Sequence, residues 1–441
     1  MTLQAWIGRL AEVEPARIRG RVRQAVGLGI QAEGLAVPVG AVCEILPAGA
    51  PPVRCEVVGF REEAALLMPL GELDGVRCGD AVVCRSRSPG IPVGRALLGR
   101  VVDAEGNPLD GGPPVLPERR VPLHARPPCP MERPRITEPL GTGVRAIDAL
   151  HTCGKGQRVG LFSGSGVGKS TLLGMCARYT AADVSVVALV GERGREVRDF
   201  VEKDLGPEGL RRSVVVVETS ERPALRRVRA AFAATAVAEY FRDEGADVLL
   251  LMDSLTRVAA AQREIGLSAG EPPATKGYPP SVFGLLPRLL ERAGRSPKGS
   301  ITGLYTVLVE ADDVADPIAD ASRAILDGHL WLSRELAHRS HYPAVDPLES
   351  VSRLMIDVTP PEQRAAAARV KALWAAYRDA EDLINVGAYV RGSSPEIDAA
   401  IRARGPILKF LRQDVGERST LEETRRGLLE LVREFGGIPG A

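Results

Sequence analysis

The possible folds of this chain are narrowed first by residues 158–171, where an apolar strand meets a helix through a glycine-rich turn. The sequence there is RVGLFSGSGVGKST. Glycines let backbone N–H groups close around a polyphosphate, and the helix that follows offers the positive end of its dipole to the same anion. The segment therefore predicts a phosphate-binding loop at the end of a buried strand.

Two side chains in this loop carry specific chemistry. Lys169 can reach the β- and γ-phosphates of a nucleotide, and the Ser170 hydroxyl can ligate Mg²⁺. The remaining contacts to the nucleotide are expected from the rest of the loop, namely Gly164, Ser165, Gly166, Val167, Gly168 and Thr171. Ser163 stands where such a loop usually has its first glycine. The alternative interpretation is a glycine-rich turn that binds nothing.

Composition limits the class of protein. A length of 441 residues suits about three domains. Lys and Arg number 57 against 56 Asp and Glu, so the net charge of +1 gives no general basic surface for nucleic acid. The seven cysteines include no CxxC pair, which favours reduced thiols in a cytosolic protein over disulfides or a zinc site. No apolar run approaches the roughly 18 residues of a membrane span.

The N-terminus has a helical pattern of its own. The apolar residues Leu3, Trp6, Ile7, Leu10 and Val13 fall on one face of a short amphipathic helix. Such a helix either packs on its own domain or docks onto a partner or a membrane surface.

Four patterns follow along the chain. Short apolar runs separated by Gly and Pro turns, between residues 18 and 88, predict a small β-barrel or sandwich. Ten prolines between Pro108 and Pro139 predict an extended connection. From residue 156 to about 333, apolar strands alternate with helical stretches, which is typical of a parallel sheet covered on both faces. These strands are predicted at 159–162, 184–190, 214–217, 248–252 and 301–309. After residue 360 we predict helices at 363–383 and 396–435.

Charged residues follow two of the predicted sheet strands. Asp253 ends the run 248–252, at the edge where ligands of parallel sheets bind, and is placed to hold Mg²⁺ through water. A helix cap for the segment that follows is the alternative. Glu192 and Arg193 follow the run 184–190. Glu192 can orient the attacking water and Arg193 can contact the γ-phosphate, although a surface salt bridge would suit Glu192 taken alone.

Several longer motifs then appear in a fixed order. They are LGRVVD at 98–103, GTGVRAID at 141–148, GERGRE at 191–196, LMDSLTR at 251–257, GEPPATKGYPPS at 270–281 and HYPAVD at 341–346. In these motifs the chain resembles the flagellar and type III protein-export ATPases, which are homologous to the catalytic subunits of rotary ATP synthases. The resemblance extends from about residue 18 to the C-terminus.

The resemblance implies an α/β fold built around a central P-loop (RecA-like) parallel-sheet ATPase domain. A small N-terminal β-barrel and a C-terminal helical domain flank it. We expect a docking helix at 1–17, an oligomerisation barrel at 18–90, the ATPase domain at 91–345 and the helical domain at 346–441.

The resemblance also assigns roles to residues that match its motifs. It implies ATP and Mg²⁺ as cofactors, with Lys169 and Ser170 on phosphate and metal and Asp253 beside the metal. Glu192 matches the catalytic glutamate, Arg193 and Arg257 match arginines that line the site, and Tyr342 matches the aromatic residue on the adenine ring. Arg353 matches an arginine finger supplied to a neighbouring subunit; without the resemblance it would be an ordinary surface arginine.

Because Glu192 and Arg353 lie in one chain, we expect a homohexameric ring with six composite sites. The family implies a stator-like negative regulator on the N-terminal segment and a coiled-coil stalk in the pore of the ring. Residues 270–281, with Lys276 and Tyr278, would face this pore. It further implies chaperones, export substrates and a membrane export gate as partners. The expected location is the cytoplasm, with peripheral attachment at the cytoplasmic face of the inner-membrane export apparatus.

Four alternatives remain at this point. An injectisome ATPase would share most motifs, although residues 384–395 and 274–276 look more flagellar. A rotary synthase catalytic subunit fits less well, since this chain supplies its own finger and has Ser163. A nucleic-acid motor needs stacking aromatics, and residues 1–100 contain only Trp6 and Phe60. A structural ring subunit would not need Lys169, Glu192 and Asp253 together.

Overall fold

The computed structural model describes residues 18–309 and 316–435. The predicted docking helix of residues 1–17 lies outside these ranges. Within them, no helix combines the length and the apolar character needed to cross a membrane.

The first unit is a closed barrel of six antiparallel strands in the order β1-β2-β5-β4-β3-β6. Its strands are β1 (Arg19–Val26), β2 (Gly29–Glu33), β3 (Val42–Leu46), β4 (Val53–Arg61), β5 (Ala64–Pro69) and β6 (Ala81–Ser86). Inward side chains such as Ile30, Ile45 and Leu67 are fully buried. The prediction of a small β-barrel is confirmed. The sequence pattern missed β2, because only Ile30 and Ala32 of its GIQAE sequence point inward.

The second unit is a largely parallel sheet in the order β19-β18-β12-β17-β15-β13-β14-β8. Its strands are β8 (Arg100–Val102), β12 (Arg158–Ser163), β13 (Val184–Val190), β14 (Ser213–Glu218), β15 (Asp247–Asp253), β17 (Ser300–Leu308), β18 (Gly328–Leu332) and β19 (Val351–Ser352). Short pairs complete the strand set: β7 (Gly90–Val93) with β9 (Arg119–Pro122), β10 (Pro139–Leu140) with β11 (Cys153–Gly154), and β16 (Gly294–Arg295) on β17. All five predicted strands are present, and the α/β class is confirmed.

Helices cover both faces of this sheet. As a result, strands such as β13 have every residue buried. Those up to residue 338 are Arg145–Leu150, Lys169–Tyr179, Gly194–Asp199, Gly206–Arg211, Ala224–Asp243, Leu255–Ser268, Pro280–Leu290, Pro317–Ile325 and Arg334–His338. The strand direction places the carboxyl ends of β12, β13, β15 and β18 along one edge. Residues that follow these strands are thereby brought together.

The C-terminal part is helical, as expected. Its helices are Met355–Val358, Pro361–Asn385, Pro395–Leu411 and Leu421–Glu434. The prediction of one helix over 396–435 was wrong. The chain leaves the helix after Leu411, and Thr420 starts another with a capping box, its hydroxyl accepting from the Glu423 N–H while the Glu423 carboxylate accepts from the Thr420 N–H. The segment boundaries expected at 17/18, 90/91 and 345/346 stay predictions.

A π-helical turn, Phe200–Leu205, lies between helices Gly194–Asp199 and Gly206–Arg211. Asp204 in this turn packs on Gly174 of the helix that follows the glycine-rich loop: a Cβ built on Gly174 would lie 2.6 Å from the Asp204 Cβ. Asp204 also forms a hydrogen bond with Thr171. The turn therefore ties the segment after β13 to the helix after β12.

The barrel is joined to the central unit by a buried ion pair. Glu56 on β4 lies against Arg229 of helix Ala224–Asp243, and the two residues are 6% and 5% exposed. Burial raises the pKa of Glu56, while the Arg229 charge opposes that shift. Removing one member of such a pair leaves an uncompensated buried charge.

We expect Arg229→Met to lower the free energy of unfolding by about 3–5 kcal/mol, because Glu56 would stay buried without its partner. Denaturant unfolding measures the change. Arg54→Met is the control on the same strand, since the Arg54 side chain is 46% exposed in its 2.7 Å pair with Glu105, and a pair with one exposed member should contribute about 1 kcal/mol or less. Equal effects of the two variants would contradict the prediction.

Candidate active site

The glycine-rich loop lies where the sequence predicts it, between the end of β12 and helix Lys169–Tyr179. Gly166 and Gly168 have φ values of 78° and 86°, which side chains other than glycine rarely adopt. Ser165, Gly166 and Ser170 are exposed at the mouth of the loop, while Gly164 and Val167 are buried beneath it. The loop is thus shaped to present backbone N–H groups to an anion.

Ser163 and Gly164 form the base of the loop. Ser163 is fully buried as the last residue of β12, and its backbone carbonyl accepts from the Val309 N–H at 3.0 Å. A Cβ built on Gly164 would lie 2.5 Å from Nη2 of Arg334, which follows β18. Arg334 therefore packs directly on the loop. No sequence motif pointed to it.

The two acidic residues meet Lys169 at the edge of the sheet. Lys169 Nζ donates to Asp253 Oδ1 at 2.5 Å and lies 3.7 Å from Glu192 Oε1. The Thr306 hydroxyl on β17 also donates to Asp253 Oδ1, at 2.8 Å. Asp253 is not the helix cap: Ser254 caps helix Leu255–Ser268. The carboxylate of Asp253 is therefore held in place by one side chain from helix Lys169–Tyr179 and one from β17.

Glu192 is 7% exposed and lies between cations. Arg257 donates to its Oε2 from Nη2 at 3.2 Å and to the Gly191 carbonyl from Nη1 at 2.5 Å. Burial raises the pKa of Glu192 to about 7, helped by a hydrogen bond with Glu196 and by the Asp253 charge, against Lys169 and Arg257. A carboxyl group with this pKa can accept a proton near neutral pH.

Arg193 lies apart from this cluster. Its side chain is 78% exposed and pairs only loosely with Glu196, at 3.7 Å. Its backbone N–H donates to the Glu196 carboxylate at the start of helix Gly194–Asp199, at 3.4 Å. In this subunit the structure brings together Lys169, Glu192, Asp253 and Arg257, but not Arg193.

Tyr342 lies next to the loop. A Cβ built on Gly168 would lie 3.2 Å from two Tyr342 ring atoms, and Tyr342 as a residue is 43% exposed. It borders a cleft of about 460 Å³ whose other walls are helix Lys169–Tyr179 and residues 412–415. Residues 412–415 lie far away in sequence, and their composition gave no sign of this position.

Arg353 lies at the opposite end of the sheet. It is exposed and follows β19, and its N–H donates to the Asp327 carbonyl at 3.1 Å. Asp327 is bonded to Arg158 at the start of β12. The loop begins five residues later, about 16 Å along the strand. Arg353 is therefore remote from Lys169 of its own subunit.

The residues at the edge suit Mg²⁺ bound with a nucleotide. Mg²⁺ keeps several waters and takes one or two protein ligands together with phosphates. Ser170 supplies an exposed hydroxyl, and Asp253 supplies a buried carboxylate that contacts Lys169, the residue before Ser170. Within 18–309 and 316–435, no three His, Cys, Asp or Glu side chains converge on one point. The described residues therefore offer no such cluster for a metal bound by protein alone. A metal that is bound together with a nucleotide does not need one, because the phosphates supply ligands.

Comparison with known proteins agrees with this geometry. Residues 143–352 match the family described as "ATP synthase alpha/beta family, nucleotide-binding domain", and residues 359–430 match "T3SS EscN ATPase C-terminal domain". The chain is 52% identical to the "Flagellum-specific ATP synthase" of Bacillus subtilis over 98% of its length and 99% of the relative's. It is 51% identical to the "Type 3 secretion system ATPase" of Xanthomonas euvesicatoria, over 94% of each chain.

Solved structures agree as well. The assembled ATPase EscN from the type III secretion system of enteropathogenic E. coli has a TM-score of 0.87 and 46% identity, over 93% of this chain and 99% of the other. EscN in complex with its central stalk EscO matches equally well. Sequence, fold and site geometry lead to one conclusion: the chain is an ATPase of the flagellar and type III secretion family, within the ATP synthase alpha/beta proteins.

Proposed function

We propose that this chain is the Mg²⁺-ATP-hydrolysing motor of a flagellar protein-export apparatus. The observation that carries the proposal is the group formed by Lys169, Asp253, Glu192 and Arg257 at the mouth of the glycine-rich loop. It provides a cation for phosphate, a carboxylate beside a nucleotide-borne metal and a carboxylate that can orient water. Phosphoryl transfer requires these functions, because it depends on positioning and charge stabilisation.

Each residue then has a distinct role. The loop from Gly164 to Thr171 binds the phosphates, and Tyr342 stacks on the base. Ser170, and Asp253 through water, would hold Mg²⁺, which would neutralise charge at the phosphates. Glu192 polarises the attacking water, Arg257 orients the Glu192 carboxylate, and Arg193 reaches the γ-phosphate after a side-chain movement.

We also propose a homohexamer in which Arg353 completes the site of the neighbouring subunit. Its exposure and its distance from its own Lys169 support action in trans. The relative EscN is described as an assembled ATPase, and in a second structure as bound to a central stalk. By analogy, a coiled-coil stalk would occupy the pore near residues 270–281.

The test is Mg²⁺-dependent ATP hydrolysis by the purified chain over a series of protein concentrations, with mass measured in parallel. We expect specific activity to rise as hexamers form, because the site of an isolated subunit has no neighbour to supply Arg353. Activity that stays constant from monomer to hexamer would reject the composite site. An added arm with single-stranded RNA should change nothing; stimulation would favour a nucleic-acid motor.

The cellular role includes further partners and is proposed on family grounds. The ring would release chaperones from export substrates, help feed them to the membrane gate and bind a stator-like negative regulator at its N-terminal segment. It would act in the cytoplasm, peripherally at the inner membrane. Deletion of the gene should abolish flagellar filaments, as seen by electron microscopy. If filaments were normal and the secretion of other proteins were lost, an injectisome role would be favoured instead. Relatives named "Type 3 secretion system ATPase" have a similar identity to this chain.

The role of Glu192 predicts a pH dependence. The ionised carboxylate is the active form, and its pKa is raised to about 7, so kcat/KM should rise with pH and level off above that value. Glu196→Ala removes the hydrogen bond that raises this pKa, so the midpoint should move to lower pH. Steady-state kinetics between pH 5.5 and 8.5 measure both curves. A midpoint that is unchanged or higher in the variant would contradict the assignment.

A further inference from the structure

The backbone on both sides of Glu192 is held by the end of the neighbouring strand, β14. The Gly191 N–H donates to the Glu218 carbonyl at 2.6 Å, and the Ser220 N–H donates to the Glu192 carbonyl at 3.1 Å. Gly191 has a φ of 72°, so the chain changes direction sharply between β13 and Glu192. The position of the Glu192 carboxylate therefore depends on where residues 218–220 lie.

The Glu218 side chain belongs to a buried ion cluster at the same edge of the sheet. Its Oε1 accepts from Arg226 Nε at 2.9 Å and from the Ala104 N–H at 3.2 Å. Arg226 Nη2 also donates to Asp103 Oδ2, at 2.9 Å. The side chains of Glu218, Asp103 and Arg226 are only 2%, 11% and 16% exposed. One guanidinium group therefore joins two carboxylates that lie at the ends of the adjacent strands β14 and β8.

The two carboxylates differ in how firmly they are held. Asp103 accepts from the Glu105 N–H, the Asn107 N–H and the Asn107 side-chain amide at 2.8–2.9 Å. Without Arg226, it would face Glu218 across adjacent strands with no cation between them. Like charges in such a place repel each other or take up a proton. Because Asp103 is fixed by its own donors, Glu218 is the residue that would move.

We propose that Arg226 and Glu218 are positioning residues for the hydrolysis of ATP: their ion cluster fixes the end of β14, and with it the backbone that directs the Glu192 carboxylate at the attacking water. The inference rests on the proposed role of Glu192 and adds the contacts that hold this residue in place. Lys169 and Tyr342, which are proposed to bind the nucleotide, belong to other segments. The cluster should therefore control the rate of hydrolysis and not nucleotide affinity.

The experiment measures single-turnover ATP hydrolysis and fluorescent-nucleotide affinity in the full chain, with rates expressed per nucleotide-binding subunit. We expect Arg226→Met to lower the rate by about 10–100-fold with an unchanged affinity, because a small displacement of a reacting group is costly. In a Glu192→Gln background the same substitution should change the residual rate by less than about twofold, since the residue that it misplaces is already inactive. Adding Glu218→Gln to Arg226→Met should restore most of the rate, because the repulsion with Asp103 is removed.

Arg229→Met is the matched control. Arg229 lies about one turn further along the same helix and pairs with Glu56 of the barrel. Its replacement should destabilise the fold but leave the rate per binding subunit within about twofold of the native value. Equal losses of rate in Arg229→Met and Arg226→Met would show a general effect of stability and overturn the inference.

Two further results would overturn the inference without affecting the proposed function. One is a native rate in Arg226→Met, and the other is an equal loss of rate from this substitution with and without Glu192→Gln. A native rate in Glu192→Gln alone would instead reject the proposed role of Glu192 itself.

Discussion

Replacing Arg353 by Ala should lower kcat by about 10³-fold or more, while nucleotide binding by the isolated subunit stays the same. The reason is that an arginine finger neutralises charge that develops only in the transition state. In its own subunit Arg353 is exposed at the end of the sheet opposite to the loop. Its loss therefore alters no contact of its own Lys169.

Mixing two inactive variants gives the sharpest form of this test. An interface is complete where Glu192 comes from an Arg353→Ala subunit and Arg353 comes from a Glu192→Gln subunit. In equal mixtures about one quarter of interfaces meet this condition in a ring of identical contacts. We expect activity to return on mixing. Two variants that stay inactive together although they co-assemble would refute action in trans.

The control is Arg378→Ala. Arg378 is an exposed arginine in a 3.3 Å surface pair with Glu349. Such a pair contributes little to stability, and its loss should change kcat less than twofold. A comparable fall in both variants would show that a general change of surface charge, and not the finger, limits the rate.

The second large effect is expected for Glu192→Gln, which should reduce kcat by roughly 10²–10⁴-fold with a nearly unchanged nucleotide affinity. The amide has the shape of the carboxyl group but cannot accept a proton from water. Fluorescent nucleotide titration and single-turnover hydrolysis separate binding from chemistry. A variant that lost binding and hydrolysis equally would indicate that Glu192 holds the phosphate site together instead.

Glu202→Gln is the matched control for this variant. Glu202 lies in the π-helical turn after the same strand, is 57% exposed and pairs with Arg198 at 2.7 Å. Its neutralisation should leave kcat within twofold, because exposed pairs of this kind contribute little. The contrast between the two glutamates then depends on position, not on charge.

The sequence could predict the parts of this site that local order defines. Strand, glycine turn and Lys169 follow one another within 12 residues, from Arg158 to Lys169, and Asp253 ends an apolar run, so their place at the carboxyl edge follows from parallel topology. The barrel and the helical C-terminal region could be predicted for the same reason. Their patterns repeat over short distances.

The remaining features depend on contacts between distant segments. Arg334 packs on Gly164, and residues 412–415 face Tyr342, only after the chain has folded. Strand β18 carries Gly328 and His329, which weaken its apolar pattern, although its neighbour β12 makes it part of the sheet. The raised pKa of Glu192 has the same origin, since burial and the Asp253 charge come from tertiary structure.

The π-helical turn fixes the length of the segment after β13. A regular helix advances about 100° per residue, and a π turn accommodates one extra residue without breaking the helix. This extra residue sets the angle around the helix axis between two side chains: Glu196, which contacts Glu192, and Asp204, which packs on Gly174. Deleting a single residue such as Lys203 would rotate the two faces apart. We therefore expect a change in the length of this segment to disturb the site, whereas the same change in a surface loop would not.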